Sequence, residues 1–563
     1  MTWGTRRALI IIVVVAFVVI FIAFAASSPV HIPAHSTLLL ELEGQIDEQR
    51  PTDVFTALSG ETPPVLHDFT DELDTAKNDR RIDALVVKIG PLSTGWGKLE
   101  EIRSHILSFR ASGKPNICYL GGDGIGDLEY YVASACSEVW VVPTSVLFIH
   151  GMMGEAFFLR GSLDKLKIVP DYYHIAEYKT ASNQLTEKKF TPAHREEVES
   201  IVRSIYGQFL TDVAASRKMD RAEFEKLVEA GPIQSEDAVK DKLAERMAYW
   251  DQVQDFVKTK TQDWNPVKIG KYRSQVKNHG TAEIAVVHAT GLIVSGKSGN
   301  TPGGGSIMGG DSVAADIRDA RENSNIKAIV LRIDSGGGSA VASEVIRREV
   351  QLAKSVKPVV ASMSDVAASG GYWIAMSANK IVADPDTITA SIGVLGGKLN
   401  VSGLFNMLGI SSDYVATSDN ATFFSTQQNF TPPQREAFEK MLHQTYAAFT
   451  QGVADGRKMK VEDVDKIGKG RIWSGAQAKD LGLVDELGGL DHAVDVAKQL
   501  AGIPSGRSVR LVRFPAEKTF FEMLIEKHQE DSSQWSSVDG LVRRLTSTSE
   551  PLQVRVPFEL KVY

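Results

Sequence analysis

The hydrophobic pattern falls into short apolar runs separated by longer amphipathic stretches. "KPVVASM" (357–363) is short, apolar and partly β-branched, as a buried strand is. "IKAIVLRID" (326–334) reads as another strand, and "SAVASEVIRREVQLAKSV" (339–356) between them as a helix. Buried strands alternating with helices predict a parallel sheet covered by helices. Tyr372, Trp373, Ile374 and Ala375 open a further helix, which puts Ser369, Gly370 and Gly371 at its start. A serine there is commonly a cap. It also stands where unpaired amides and the helix dipole favour developing negative charge.

The pattern is different at the N-terminus. Residues 8–26, "ALIIIVVVAFVVIFIAFAA", are uncharged and long enough to cross a hydrocarbon core. Arg6 and Arg7 precede them and the next basic residue is Arg50. The charge asymmetry predicts a cytoplasmic stub and a chain that continues outside, and the length of the run favours an uncleaved anchor, residues 1–28 together, over the alternative of a cleaved signal peptide.

Composition narrows the function classes. With 43% hydrophobic and 23% charged residues the chain is globular, and its 563 residues require more than one domain. A net charge of −8 gives no electrostatic case for nucleic-acid binding. Cys118 and Cys136 are too few for a disulfide framework or a metal site and read as buried thiols, with one bridge between them as the alternative. No metal or cofactor is expected; the glycines Gly336, Gly337 and Gly338 lack the Lys-Ser/Thr pair of a phosphate loop.

The chain repeats itself. "RRIDALVVKIG" in the first half is answered by "SNIKAIVLRID" in the second, and Phe190-Thr191-Pro192 by Phe430-Thr431-Pro432 at an offset of 240. "VAASRKM" (213–219) and "VADGRKM" (453–459) share that offset. This is a tandem duplication of an α/β unit of roughly 200 residues. The expected division is an anchor to residue 28, a first unit over 29–265, a second over 266–504, and an extension over 505–563 to which no role is assigned. Within that extension "LQVRVPFELKVY" alternates like an edge strand.

Duplication supplies an internal control. "GIGDLEYYV" stands where the second half has "VAASGGYWI", so Asp127 is opposite Ser369. "VVKIGPLSTGW" stands where the second half has "VLRIDSGGGSA". The serine and the glycine turn therefore belong to the second half alone, which points to a site there. A serine hydroxyl needs a base, and no histidine falls in a motif beside Ser369. Lys179 in "HIAEYKTASNQ" (174–184) is the candidate, since the matching "VATSDNATFFSTQ" (415–427) has no lysine. Such a base must be neutral, a downward shift of about two to three units from its usual value.

"AASGGYW", "TASIGVLGG", "AIVLRIDSGGGSAVASEVIR" and "EYKTA" together resemble the signal peptide peptidase A (protease IV) family, peptidase family S49, in its long, duplicated, membrane-anchored form. The resemblance implies two ClpP/crotonase-like units and a Ser–Lys dyad serine protease. It makes Ser369 the nucleophile and Lys179 the general base, with the amides of Gly337 and Gly370 as oxyanion hole and Ser391 orienting the lysine. It further implies a homotetramer that takes hydrophobic peptides such as cleaved signal peptides, held in a bacterial inner membrane with the catalytic part in the periplasm. The chain departs from the family pattern at Gly336, where proline is usual, and at Thr180-Ala181-Ser182-Asn183-Gln184, where Ser-Ala-x-Glu-Pro is frequent. A crotonase-type acyl-CoA enzyme and a non-catalytic membrane scaffold are the alternatives. "TPGGGSIMGGD" (301–311) reads either as a mobile loop near the site or as an inert linker.

Overall fold

The computed structural model describes residues 31–50, 64–276, 280–300 and 305–516, with the backbone of two short strands at Gln553–Arg555 and Lys561–Val562. The apolar segment 8–26 lies outside these residues. Among them no helix is long and apolar enough to cross a membrane.

Two sheets share one construction. In the first, Pro266–Lys268, Ser36–Gly44, Ile82–Leu92, Asn116–Leu120, Glu138–Val141 and Arg246–Met247 lie side by side, all parallel. In the second, Val509–Phe514, Ala282–Thr290, Ile326–Ser335, Val359–Ala368, Lys380–Ala383 and Glu486–Leu487 repeat that order, again parallel. Helices cover both faces, which is why the strands read as unbroken apolar runs.

The helices repeat as well. Trp96–Arg110 and Ala340–Lys354 each have 15 residues, and Pro192–Arg217 and Pro432–Arg457 each have 26. Both long helices follow a threonine N-cap, begin with proline, and end on a left-handed lysine, Lys218 and Lys458. Tyr130 donates its hydroxyl to Leu243 O, and Tyr372 does the same to Leu483 O, each at 2.8 Å. These paired contacts align Asp127 with Ser369.

Each sheet takes its outermost strand from beyond the unit boundary read in the sequence. Pro266–Lys268 follows residue 265 and Val509–Phe514 follows residue 504. Both cover the free edge of a central strand, whose backbone groups would otherwise stay unpaired.

The units interlock. Val169–His174 of the first unit runs antiparallel to Leu395–Asn400 of the second, with His174 opposite Leu395. Below, Arg332 is wholly buried and forks onto Glu48 at 2.8 and 3.1 Å and Glu101 at 2.5 Å, both from the first unit. Lys98 of the first unit in turn meets Asp334 at 2.7 Å and Asp365 at 2.9 Å. Burial raises the Glu48 carboxyl, but the Arg332 guanidinium outweighs it and holds the group far below the usual carboxylate range.

The cysteines form a disulfide, which corrects the reading of two buried thiols. Cys118 on Asn116–Leu120 and Cys136, just past the helix Asp127–Ala133, have Cα atoms 5.7 Å apart. A sequence separation of 18 hid a proximity that the strand–helix return creates.

Candidate active site

Strand Val359–Ala368 runs directly into helix Gly370–Ala375, with Ser369 as the junction. Ser369 has φ 55° and ψ −110°, and its side chain makes no capping bond to the helix. Ala390 and Ser391 beside it also have positive φ, 64° and 53°. Three non-glycine residues in this sparsely allowed region, joined by the Ser369 N–H to Ala390 O bond of 2.7 Å, mark stored backbone strain of a kind that clusters at functional sites.

The hydroxyl that does not cap faces a lysine. Lys179 Nζ lies 2.6 Å from Ser369 Oγ, 3.0 Å from Ser391 Oγ and 3.1 Å from Ser391 O. All three side chains are fully buried. Lys179 reaches this place because the preceding strand Val169–His174 has crossed onto the second unit and Tyr178 N–H donates to Lys469 O. Two glycines make room for it. A side chain on Gly470, at φ +83°, would come within 2.5 Å of Lys179 N, and one on Gly393 within 3.1 Å of its Cδ. Burial pulls the Lys179 ammonium down from its ordinary range to about 7, against a smaller opposing pull from Glu197.

The glycine turn is itself a short strand, Gly337–Ser339. Its Gly338 is paired with Ile293, and a Cβ there would lie 2.0 Å from Ile293 O. Gly337 N–H donates to Ser335 Oγ at 3.1 Å, and Ser335 donates to Gly291 O at 2.6 Å. Gly370 is the first residue of its helix, where an N–H has no intrahelical acceptor. A Cβ on Gly370 would stand 3.0 Å from Gly337 Cα, so the two backbones are neighbours beside Ser369. Of the glycine-rich stretch 301–311, residues 301–304 lie outside the described residues. Ser306–Gly309 is a strand parallel to Leu292–Val294 in the same small sheet.

The extension returns to this site. Gln553–Arg555 pairs antiparallel with Gly337–Ser339, with Arg555 opposite Gly337, and touches Leu395 on its other side. Its backbone completes a sheet that runs from the glycine strand to Val169–His174.

The sequence reading missed Glu197, on helix Pro192–Arg217. This side chain is wholly buried, accepts from Thr180 Oγ at 2.5 Å, and is pushed up to about 8 by burial. A signal was present, since the repeat puts Ala437 in its place. The first-unit counterpart of the serine, Asp127, is buried and raised to about 7 by that burial.

A duplicated parallel α/β unit with a strained serine set against a buried lysine defines a protein of the serine-hydrolase class. The family model described as "Peptidase family S49" matches residues 108–262 and 351–504. The chain is 34% identical over 531 residues to the chloroplastic serine protease SPPA of Arabidopsis thaliana, covering 92% of this chain and 76% of that one. It is 32% identical over 554 residues to Protease 4 of Salmonella typhi (94% and 86% covered) and 29% identical over 524 residues to Protease 4 of Haemophilus influenzae (87% and 84%). The chain belongs to peptidase family S49 and is a serine peptidase.

Proposed function

We propose that Ser369 and Lys179 form the nucleophile and general base of a membrane-anchored endopeptidase for hydrophobic peptides, cleaved signal peptides among them. The observation that carries this reading is the three-way contact of Lys179 Nζ. A free amine offers two N–H groups and one lone pair. Ser391 O can only accept, and Ser391 Oγ sends its own proton to Gly470 O at 3.2 Å and so accepts as well. Both amine protons are then spoken for, and the lone pair is left for the Ser369 hydroxyl.

Ser369 Oγ attacks the peptide carbonyl carbon as its proton passes to Lys179. The amides of Gly337 and Gly370 receive the oxyanion, Gly337 by exchanging its Ser335 acceptor. Collapse breaks the C–N bond, and Lys179 hands its proton to the departing amine. Water, deprotonated by the same lysine, then hydrolyses the acyl ester. Strand Gly337–Ser339 suits a substrate in extended form: Gln553–Arg555 already pairs with it as a strand, bound through backbone groups as a peptide would be.

Each unit is read as ClpP/crotonase-like, and the assembly as a homotetramer. Its contacts draw on apolar side chains left exposed around the short helices Arg160–Lys165 and Ser402–Met407, Phe157, Leu159 and Leu166 at the first and Leu408, Ile410 and Tyr414 at the second. Residues 8–26 are the anchor, in a bacterial inner membrane with the peptidase on the periplasmic face. The Cys118–Cys136 disulfide supports an oxidising compartment.

The test is hydrolysis of apolar peptides by the membrane-bound protein and its Ser369→Ala and Lys179→Ala variants. Both variants are expected to lose at least roughly 10³-fold in kcat/KM while keeping their fold. Full activity in either refutes the assignment.

A further inference from the structure

We infer that Glu197 is a positioning residue for Lys179, fixing the lysine-bearing turn to the serine-bearing unit and setting a carboxyl toward the ammonium that forms during proton transfer. The inference rests on the Ser369–Lys179 reading above.

Glu197 ties together two segments that no local contact joins. Its carboxyl accepts from Thr180 Oγ, the residue after the base, and lies beside the backbone N–H of Ile472, which acts to lower it against burial. Ile472 begins the strand Ile472–Ser474, which pairs with Ile388–Ala390 just before Ser391. The residue before it, Arg471, accepts the Ser391 N–H at 2.9 Å. One carboxyl thus holds the turn carrying Lys179 and lies against the backbone beside Ser391, the residue that holds the lysine amine. Farther along the same helix face, Ser200 accepts from Gln477 at 3.0 Å and Ser204 meets Ser474 at 2.7 Å, so the seam continues for two turns.

Duplication shows that this seam is not a requirement of the fold. The second unit builds the same 26-residue helix with Ala437, Lys440 and Gln444 where the first has Glu197, Ser200 and Ser204. A buried acid was introduced only in the unit that contributes the base. Burying a carboxyl with one oxygen left without a hydrogen bond is unfavourable unless it serves something.

The charges around it are few. Arg471 faces Glu197 from the second unit, and its guanidinium is engaged by Glu196 at 2.7 Å. Tyr178 also donates to Glu196, at 2.8 Å. His194, one turn earlier on the helix, is lowered to about 4 by burial and is neutral near pH 7. Among the described residues Glu197 is the group whose ionised form acts on Lys179, in the direction that favours the ammonium. As Lys179 accepts the Ser369 proton, a cation appears in a fully buried place, and Glu197, ionised above about 8, is the acid positioned to compensate it there.

The test compares kcat, KM and the pH profile of kcat/KM for the full-length protein and its Glu197→Gln and Glu197→Ala variants, with Ser369→Ala and Lys179→Ala as references. Glutamine keeps the acceptor for Thr180 but carries no charge. Glu197 ionises only above about 8, so the two enzymes are expected to agree below about pH 7, and above about 8 the glutamine variant is expected to show kcat at least about threefold lower with KM unchanged. Alanine also removes the anchor, and kcat is expected to fall roughly tenfold or more. If Glu197→Gln keeps the wild-type kcat and pH profile, or only its thermal midpoint changes, the inference is overturned, whether or not Glu197→Ala folds. If the Ser369→Ala or Lys179→Ala reference is active, the underlying reading fails instead.

Discussion

Lys179 Nζ stands 2.6 Å from Ser369 Oγ across 190 positions of chain and across two halves of a duplication. Neither unit contains the pair alone. The crossing strand Val169–His174 makes the contact possible, and Gly393 and Gly470 provide the space in which the lysine lies.

Activity should follow the protonation of that lysine. Below about 7 it is an ammonium and cannot accept the serine proton; above, it is a free amine. kcat/KM is therefore expected to rise with pH through about 7, as measured on an uncharged apolar peptide. A rise centred near 10 would mean the lysine is not desolvated.

The same burial has a stability signature. Between about 7 and its unfolded value of 10.5, Lys179 is neutral when folded and charged when unfolded, so the unfolded state binds more protons and stability rises with pH. Lys179→Met removes this dependence. It should exceed wild type by about 5 kcal/mol below pH 7 and converge with it near pH 10, by denaturant titration.

Gly470→Ala should inactivate without removing any chemical group. Its φ of +83° is strained for alanine, and the new methyl would press on Lys179 N from 2.5 Å. We expect kcat to fall at least about tenfold, since a displacement near 1 Å suffices for larger losses. A fully active variant would show that the lysine turn yields freely.

Arg332→Leu should open the seam between units. It leaves Glu48 and Glu101 buried without their countercharge, a loss of about 3–5 kcal/mol. Chemical denaturation reads it directly. A loss near zero would mean the carboxyls take up protons without strain.

Reducing Cys118–Cys136 should lower stability by about 3 kcal/mol, as for a closed loop with a separation of 18. Thermal midpoints with and without reductant measure this. No change would mean the first unit does not depend on the bond.

Periodicity and repetition are local properties, and they made the α/β units and most strands and helices legible. The duplication made Ser369 and Lys179 stand out as candidates, since each is missing from the opposite half. The extension's alternation read as an edge strand, but the strand Gln553–Arg555 lies inside a sheet, between Gly337–Ser339 and Leu395–Asn400.

Sequence alone thus determined the units, their order and the reactive residue types, because these depend on neighbours within a few turns or on the 240-residue repeat. Tertiary structure decided the rest. Desolvation sets the basicity of Lys179, chain crossing brings it to Ser369, and interface burial pairs Arg332 with Glu48 and assigns Glu197 its contacts. Each depends on which distant segments exclude water together, and no local pattern carries that information.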